Sequence, residues 1–188
     1  KEQPTNEIIK ELLKIRLKKN KPFFDSKNQL DLNCIWVSAL ISANEALPGQ
    51  GYAKLAEDYF LKIEKFFLKE KIQHCYSENI VFIEDYAFLV NTLIDLSDCT
   101  LNLKYKQLAK TMCLEAIDKF YIKDKSIFKK NQLKEEDLFF EPIDISDNTI
   151  PNGNALMLEN FIRLGLDREA DDLAKSLFGY LNIYKNYM

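Results

Sequence analysis

The stretch FIEDYAFLVNTLIDL, residues 82–96, carries the pattern that decides the fold. Its first residues include the adjacent carboxylates Glu84 and Asp85, and the rest of the stretch is apolar almost all the way round a helix. A helix without a polar face has neighbours on every side and is buried. The stretch therefore predicts a buried helix whose first turn presents acidic groups at one end.

Two other segments repeat this arrangement. Residues 32–47 begin within the cluster Asp31-Leu32-Asn33, residues 153–165 follow a polar cluster that starts at Asp147, and both runs are largely apolar. Apolar side chains at helical spacing, opposite charged ones, predict amphipathic helices at 6–18, 52–69, 104–121 and 168–183. Buried and amphipathic helices therefore alternate along the chain.

The alternation indicates hairpins of helices that curl into two concentric layers. Inner helices contact neighbours on all sides, whereas outer helices keep one face in water. Because the connections are short, successive helices run antiparallel, so the inner helices are parallel to one another and begin at the same rim. A plain bundle does not account for three buried helices so regularly interleaved, and a linear solenoid would show a sequence repeat, which is not found.

One part of the sequence has the pattern of β-structure. Ser126-Ile127-Phe128 and Leu138-Phe139-Phe140 flank a charged segment, which predicts a short β-hairpin. The predicted fold class is therefore all-α, a partial α/α toroid of about seven helices with one short β-hairpin. Residues 1–188 are expected to form a single domain.

Composition and charge exclude several functional classes. The formal net charge is −3, so nucleic-acid binding is not expected, and the basic run at residues 14–21 is read as a solvated helix end, with a phosphate or partner patch as the alternative. No run is long and apolar enough to predict a membrane span. The sequence has four cysteines without CxxC spacing and a single histidine, a set that predicts neither a metal site nor a cofactor. The cysteines are expected to be reduced thiols, which indicates a cytoplasmic protein.

Three segments of the chain resemble one known family. The segments 24–36, 82–89 and 147–155 resemble, in this order, the C-terminal helical region of the thioredoxin-domain-containing YyaL and spermatogenesis-associated protein 20 family. The family's pattern is D-D-K with W-N-G-L at the first segment, F-L-E-D-Y-A-F-L at the second and D-G-A-T-P-S-G-N at the third. The resemblance extends from Leu12 to Leu164. The middle motif is the most specific, because all but one of its eight positions match.

The resemblance implies an α/α toroid like that of six-hairpin glycosidases and sugar epimerases, joined in the family to an N-terminal thioredoxin-like domain. The sequence contains no thioredoxin-like part and too few helices for six hairpins, so it is expected to be a fragment of a larger protein. Departures from the family pattern fall at the rim, where Cys34 and Asn148 replace glycines and Ser77 replaces an arginine. A lost glycine restricts a tight turn, and a lost arginine removes an anion clamp.

Glu84, Asp85 and Asp147 are the predicted catalytic residues. Carboxylates gathered at one rim can act as general acid and general base on a glycosidic bond or a sugar carbon. Acidic residues in a first turn also cap the helix, so a purely structural role is the alternative. Neighbouring helix positions point about 100° apart, so only one of Glu84 and Asp85 is expected to face the cavity.

Asp25, Asn33, Tyr76, Tyr86 and Asn154 are the predicted substrate-binding residues. The two amides open inner helices at matching places and suit sugar hydroxyls, and aromatic rings suit the C–H faces of sugars. The alternatives are that the amides hold loops and that the tyrosines fill the core. A single histidine cannot supply both the acid and the base of an epimerase, which argues against epimerase chemistry within this sequence.

The predicted function is that of a carbohydrate-active or carbohydrate-binding toroid within a thioredoxin-domain-containing protein. Its implied partners are a carbohydrate ligand and the thioredoxin-like domain of the parent protein, with neither nucleic acid nor membrane. Two alternatives stay open: a non-catalytic scaffold that presents partners to the redox domain, and a degenerate, inactive fragment.

Overall fold

A computed structural model of the chain describes residues 5–69, 71–75, 80–132, 142–147 and 149–184. Within these ranges it contains seven α-helices and one two-stranded antiparallel sheet. The helices are α1 (Asn6–Lys18), α2 (Leu30–Ala46), α3 (Tyr52–Phe67), α4 (Ile83–Thr100), α5 (Leu103–Phe120), α6 (Gly153–Leu164) and α7 (Asp167–Tyr184). The strands are β1 (Tyr121–Ile122) and β2 (Ile127–Phe128).

The helices form the two predicted layers. α4 lies between α2 and α6, and α3, α5 and α7 pack on the outside of α2, α4 and α6, respectively. α4 is the most enclosed helix, with Leu89, Val90 and Leu93 fully buried. The all-α fold, a partial α/α toroid with a short hairpin, is therefore confirmed. None of the described helices is both long and apolar enough to cross a lipid bilayer.

Local chemistry fixes several helix ends. The side chain of Asn102 accepts a hydrogen bond from the Lys104 N–H at the start of α5, and that of Asn152 accepts one from the Ala155 N–H at the start of α6. α6 ends at Gly165, whose φ of 72° lies in the left-handed region that glycine adopts without strain. These caps satisfy backbone groups that a helix leaves unpaired at its ends.

The hairpin differs from the prediction in its partner strand. β2 includes the predicted Ile127 and Phe128, both fully buried, but it pairs with β1 across a 3₁₀ turn at Lys123–Lys125. The expected partner segment 138–140 lies outside the described residues. The helical pattern predicts that α5 ends at Tyr121, but this residue opens β1. A two-residue strand shows no periodicity that separates it from a helix end.

α1 is a helix, as predicted, but none of its residues is buried. Its apolar side chains are each about half exposed or more; they are Ile8, Ile9, Leu12, Leu13, Ile15 and Leu17. An amphipathic helix gains most of its stability from packing of the apolar face. Among the described residues, therefore, α1 contributes no buried side chain to the core.

Candidate functional site

The inner helices begin around a single cavity of about 200 Å³. The start of α2, the start of α4 and the turn before α6 all contribute to its wall. The remaining wall comes from the segment after β2 and the segment that precedes α6. The lining residues are Asp31, Phe82, Glu84, Lys130, Asp144, Ser146, Ile150, Pro151 and Asn152.

Backbone hydrogen bonds join the loops of the rim to the inner helices. The Leu30 N–H donates to the His74 carbonyl at 2.9 Å, and the Ile83 N–H donates to the Lys130 carbonyl at 3.0 Å. The Lys130 N–H in turn donates to the Pro142 carbonyl at 2.7 Å. First-turn N–H groups have no partner within their own helix, so these bonds both satisfy the helix ends and hold the cavity wall in place.

Gly153 allows α6 to approach α4 at the rim. A Cβ atom at this position would lie 2.7 Å from Cγ2 of Ile83 and 3.3 Å from the backbone nitrogen of Glu84. The first of these distances is shorter than real Cβ contacts allow. The close approach of the two helix N-termini, and with it the shape of the cavity, therefore depends on the absence of a side chain at residue 153.

Glu84 presents its carboxyl group to the cavity. Its Oε2 atom is buried and has no hydrogen-bond partner among the described residues. Burial raises the pKa of Glu84, an effect that the nearby Lys130 opposes. A half-buried carboxyl group with an unused oxygen can accept a hydrogen bond from a ligand hydroxyl, or donate one when protonated.

Asp85 points away from the cavity and is fully buried. One carboxylate oxygen accepts a hydrogen bond from the Phe82 N–H at 2.9 Å, which caps α4. The other accepts from Nδ1 of His74, also at 2.9 Å. The adjacent acids therefore diverge as the helix geometry predicts, with Glu84 facing the cavity and Asp85 facing the interior.

Three charged cavity residues were not among the predicted site residues. Asp31 is the second residue of α2, just as Glu84 is the second residue of α4, so matching helix positions could have identified it. Burial raises the pKa of Asp31, with a smaller contribution from the negative charge of Asp85. Lys130 forms an ion pair with Asp144 at 3.2 Å. The spacing of Lys130 and Asp144 in the sequence carries no signal that would have placed them here.

Asp147 and Asp25 hold turns in the structure. Asp147 is exposed, and its Oδ1 atom accepts hydrogen bonds from the backbone N–H and the side-chain amide of Asn152, both at 2.9 Å. Asp147 thereby orients a residue that lines the cavity and caps α6. Asp25 is exposed, accepts a bond from the Lys27 N–H at 3.1 Å and does not line the cavity.

The two predicted amides occupy different settings. Asn33 is the fourth residue of α2, and its amide donates to the Gln29 carbonyl at 2.7 Å on a groove beside α3. Asn154 is the second residue of α6 and is almost fully buried. Its amide accepts from the Phe128 N–H at 2.8 Å and donates to the carbonyls of Phe128 and Asp144, both at 3.0 Å. Asn154 thereby ties β2 and the segment before α6 to the inner layer.

Tyr86, one of the two predicted tyrosines, does not line the cavity. Tyr86 is buried, and its hydroxyl group donates to Glu115 at 2.7 Å and accepts from Nζ of Lys119 at 2.7 Å. Burial, followed by the hydrogen bond to Glu115, raises the pKa of Tyr86 well above its ordinary range. Tyr76 lies outside the described residues.

No protein-family model and no curated protein matches the sequence. Several solved structures match the fold. A sugar epimerase from a ruminal bacterium has a TM-score of 0.60 and 18% identity over 82% of this chain and 43% of its own. The GH76 α-mannanase of Bacteroides thetaiotaomicron has a TM-score of 0.59 and 11% identity over 85% of this chain and 44% of its own. A UGL variant with dGlcA-Glc-Rha-Glc has a TM-score of 0.59 and 12% identity over 83% of this chain and 48% of its own.

The chain spans less than half the length of each of these three structures. At such low identities the similarity establishes the fold and leaves the chemistry to the side chains. The neighbours nevertheless agree with one another, since each is a helical protein of carbohydrate chemistry. The chain therefore has the α/α-toroid fold of the six-hairpin glycosidase type.

Proposed function

We propose that the chain binds carbohydrate in the cavity at the start of its inner helices, as part of a carbohydrate-active protein. The observation that carries the proposal is the Glu84 Oε2 atom, which is buried in the described structure without a hydrogen-bond partner. An unsatisfied buried acceptor costs stability unless another group satisfies it. A sugar hydroxyl is a donor of the right kind for this position.

The other charged residues of the cavity have chemistry that suits the same ligand. Asp31 and Asp144 add carboxylates to the wall, and Lys130, paired with Asp144, adds a donor. In this proposal Glu84 is the carboxyl group that acts on the glycosidic oxygen or sugar carbon, and a second cavity carboxylate assists as base. The interior position of Asp85 and the turn contacts of Asp147 support positioning roles for these two residues instead.

Sugar titration of the 188-residue chain tests the proposal. The probes are mannose, glucose, N-acetylglucosamine and glucuronate, together with the corresponding disaccharides. Saturation-transfer NMR measures the binding of each sugar. We expect Glu84→Gln and Asp144→Asn to weaken binding about tenfold, a loss of about 1.4 kcal/mol, with little change in melting temperature. Glu159→Gln is the matched control, because Glu159 lies on α6 with a side chain that is 58% exposed.

Two results would contradict this assignment. If none of the sugars binds, the cavity is not a carbohydrate site in this chain. If Glu84→Gln lowers the melting temperature and leaves sugar binding unchanged, Glu84 stabilises the N-terminus of α4 and has no ligand role.

The resemblance to the YyaL and spermatogenesis-associated protein 20 family supports a finer proposal. In it, residues 1–188 are one part of a toroid in a cytoplasmic protein that also carries a thioredoxin-like domain. The motif that carries the resemblance, residues 82–89, supplies two cavity-lining residues, Phe82 and Glu84. No disulfide bond joins any of the four cysteines, which agrees with a reducing compartment.

The complete open reading frame tests this finer proposal directly. An upstream thioredoxin-like domain, with further helices that complete the toroid, is the expected result. If that domain is present and sugars do not bind, the toroid is a scaffold that presents partners to the redox domain. If neither is found, the family assignment is wrong.

A further inference from the structure

We propose that Asp31, His74 and Asp85 form a binding site for one divalent transition-metal ion beneath the cavity. Each residue offers one ligand atom, and these atoms lie within 4.8 Å of one another. Their exposed fractions are 7%, 9% and 0%, respectively. Among the described residues, no other set of three or more histidine, cysteine or acidic side chains is grouped in this way. The site does not depend on the proposed carbohydrate function.

The donor set indicates which ions fit. Two carboxylate oxygens and one imidazole nitrogen suit ions such as Mn²⁺ and Zn²⁺, whereas Mg²⁺ and Ca²⁺ prefer oxygen ligands alone. His74 Nδ1 and Asp85 Oδ1 are 2.9 Å apart. A metal ion bound to Nδ1 displaces the proton of that nitrogen, and Nε2 takes up a proton from solvent in exchange, so no net proton is released. The two carboxylates then balance the charge of the dication, and the imidazole is neutral.

The backbone holds two of the three ligands in place. Asp85 is fixed by the second oxygen of its carboxylate, which accepts from the Phe82 N–H. His74 is fixed by its carbonyl group, which accepts from the Leu30 N–H one residue before Asp31. The segment that carries His74 is also joined to α2 by a bridge between Gln29 and Cys75. A preorganised ligand set loses little conformational entropy when the ion binds.

Asp31 provides the observation that points to a ligand. It is more than nine-tenths buried, yet its carboxylate accepts a hydrogen bond from only one other described residue, through the Leu32 N–H at 2.8 Å. Asp31 also lines the cavity. The second carboxylate oxygen is therefore available to an ion that enters from the cavity, and water in the cavity can occupy the remaining coordination positions.

Gln29 completes the site as a partner of the imidazole. Its side-chain amide nitrogen lies 3.0 Å from Nε2 of His74. With a metal ion on Nδ1, Nε2 carries the proton and donates a hydrogen bond. Rotation of the Gln29 amide by about 180° places its oxygen opposite Nε2 and provides the acceptor. An imidazole that binds a metal through one nitrogen ordinarily donates from the other, so Gln29 can serve both forms of the site.

Mn²⁺ is the probe that tests the site, because thiols compete for it less than for Zn²⁺. Electron paramagnetic resonance measures the free ion as it is added to the 188-residue chain, and thermal melting is followed in parallel. We expect one bound Mn²⁺ per chain and a higher melting temperature with the ion present. Asp31→Asn and His74→Gln should each weaken binding by at least about tenfold.

Control variants separate the site from general binding of cations to acidic groups. Glu159→Gln and Asp171→Asn each remove an exposed carboxylate, on α6 and α7 respectively, outside the ligand set; neither should change Mn²⁺ affinity. If His74→Gln does not fold, Asp31→Asn alone decides the matter. The proposal is overturned if the chain binds no Mn²⁺ at millimolar concentration, or if Asp31→Asn binds the ion as tightly as the natural chain does.

Discussion

Gly153→Ala should destabilise the protein although alanine is the better helix former. The first residue of α6 has no left-handed φ, so alanine can adopt its backbone conformation. In open space the exchange would stabilise the fold by about 0.5–1 kcal/mol. Here, however, the added Cβ would lie 2.7 Å from Cγ2 and 3.2 Å from Cγ1 of the buried Ile83.

The magnitude follows from which atoms can move. Inserting a methyl group into a packed core costs about 1–3 kcal/mol. The upper half of that range applies, because Ile83 is branched at Cβ and buried, and the Glu84 backbone nitrogen at 3.3 Å limits a shift of α6. Subtracting the gain in propensity leaves about 1–2.5 kcal/mol of destabilisation, or roughly 2–10 °C in melting temperature for a chain of this size.

Urea unfolding of a double-mutant cycle measures the contact itself. Ile83→Ala removes the two side-chain atoms that the new Cβ would meet and leaves only the Glu84 backbone nitrogen at 3.3 Å. Most of the cost of Gly153→Ala should therefore disappear in that background, with a coupling energy of about 2 kcal/mol. Gly179→Ala is the matched control, since a Cβ at this position in α7 meets nothing within 4 Å. We expect this control to stabilise the chain by about 0.5–1 kcal/mol.

The outcome that would refute the reasoning is specific. If Gly153→Ala is as stable as Gly179→Ala, or if its cost is unchanged in the Ile83→Ala background, α6 does not approach α4 as closely as the structure describes. The shape assigned to the cavity would then be wrong as well, because the same approach brings the start of α6 to the rim.

Two further substitutions test contacts around the rim and the outer layer. Asn154→Ala removes hydrogen bonds to the N–H and carbonyl of Phe128 and to the Asp144 carbonyl, and should lower the free energy of unfolding by about 3 kcal/mol in urea titration. Burial acts to raise the pKa of Glu115, but hydrogen bonds from Lys119 and Tyr86 outweigh it and lower the pKa below the ordinary value of 4.5. A carboxyl group whose pKa is lowered by folding stabilises the fold at pH values above its unfolded-state pKa, and this stability is lost as the pH falls through the folded-state pKa. Glu115→Gln should therefore make the loss of stability below about pH 4.5 less steep. If stability falls with pH below about 4.5 as it does in the unsubstituted chain, the assignment is contradicted.

The two layers could be predicted because the periodicity of apolar residues indicates whether a helix is buried on all sides or on one face only. A stretch such as residues 82–96 has no polar face, so it can only be an inner helix, whereas residues 104–121 have one and lie outside. Periodicity also explains where prediction failed. β1 and β2 have two residues each, too few to show a period of two, so no pattern indicated that Tyr121 pairs with Phe128.

The direction of each carboxylate in the acidic pair was partly predictable. Helix geometry alone separates Glu84 from Asp85 by about 100°, which requires that the two face different surroundings. Which of them faces inward is decided by His74, which lies in the loop before α4 and donates to Asp85, and by Gln29, which contacts that histidine from the start of α2. Partners brought together by tertiary structure leave no pattern in the spacing of residues along the chain.

The second residue of each inner helix shows how far helix position determines a site. Asp31, Glu84 and Asn154 occupy this position in α2, α4 and α6, so helix geometry alone would place all three at the rim. Asp31 and Glu84 line the cavity, whereas the Asn154 amide is fully used by Phe128 and Asp144. The difference arises because β2 packs against the start of α6 and presents backbone groups that need partners there. A carboxylate at residue 154 could accept from the Phe128 N–H but could not donate to the two carbonyls, so the contact with the hairpin requires an amide. Among the three second positions, acidic groups therefore reach the cavity only from α2 and α4.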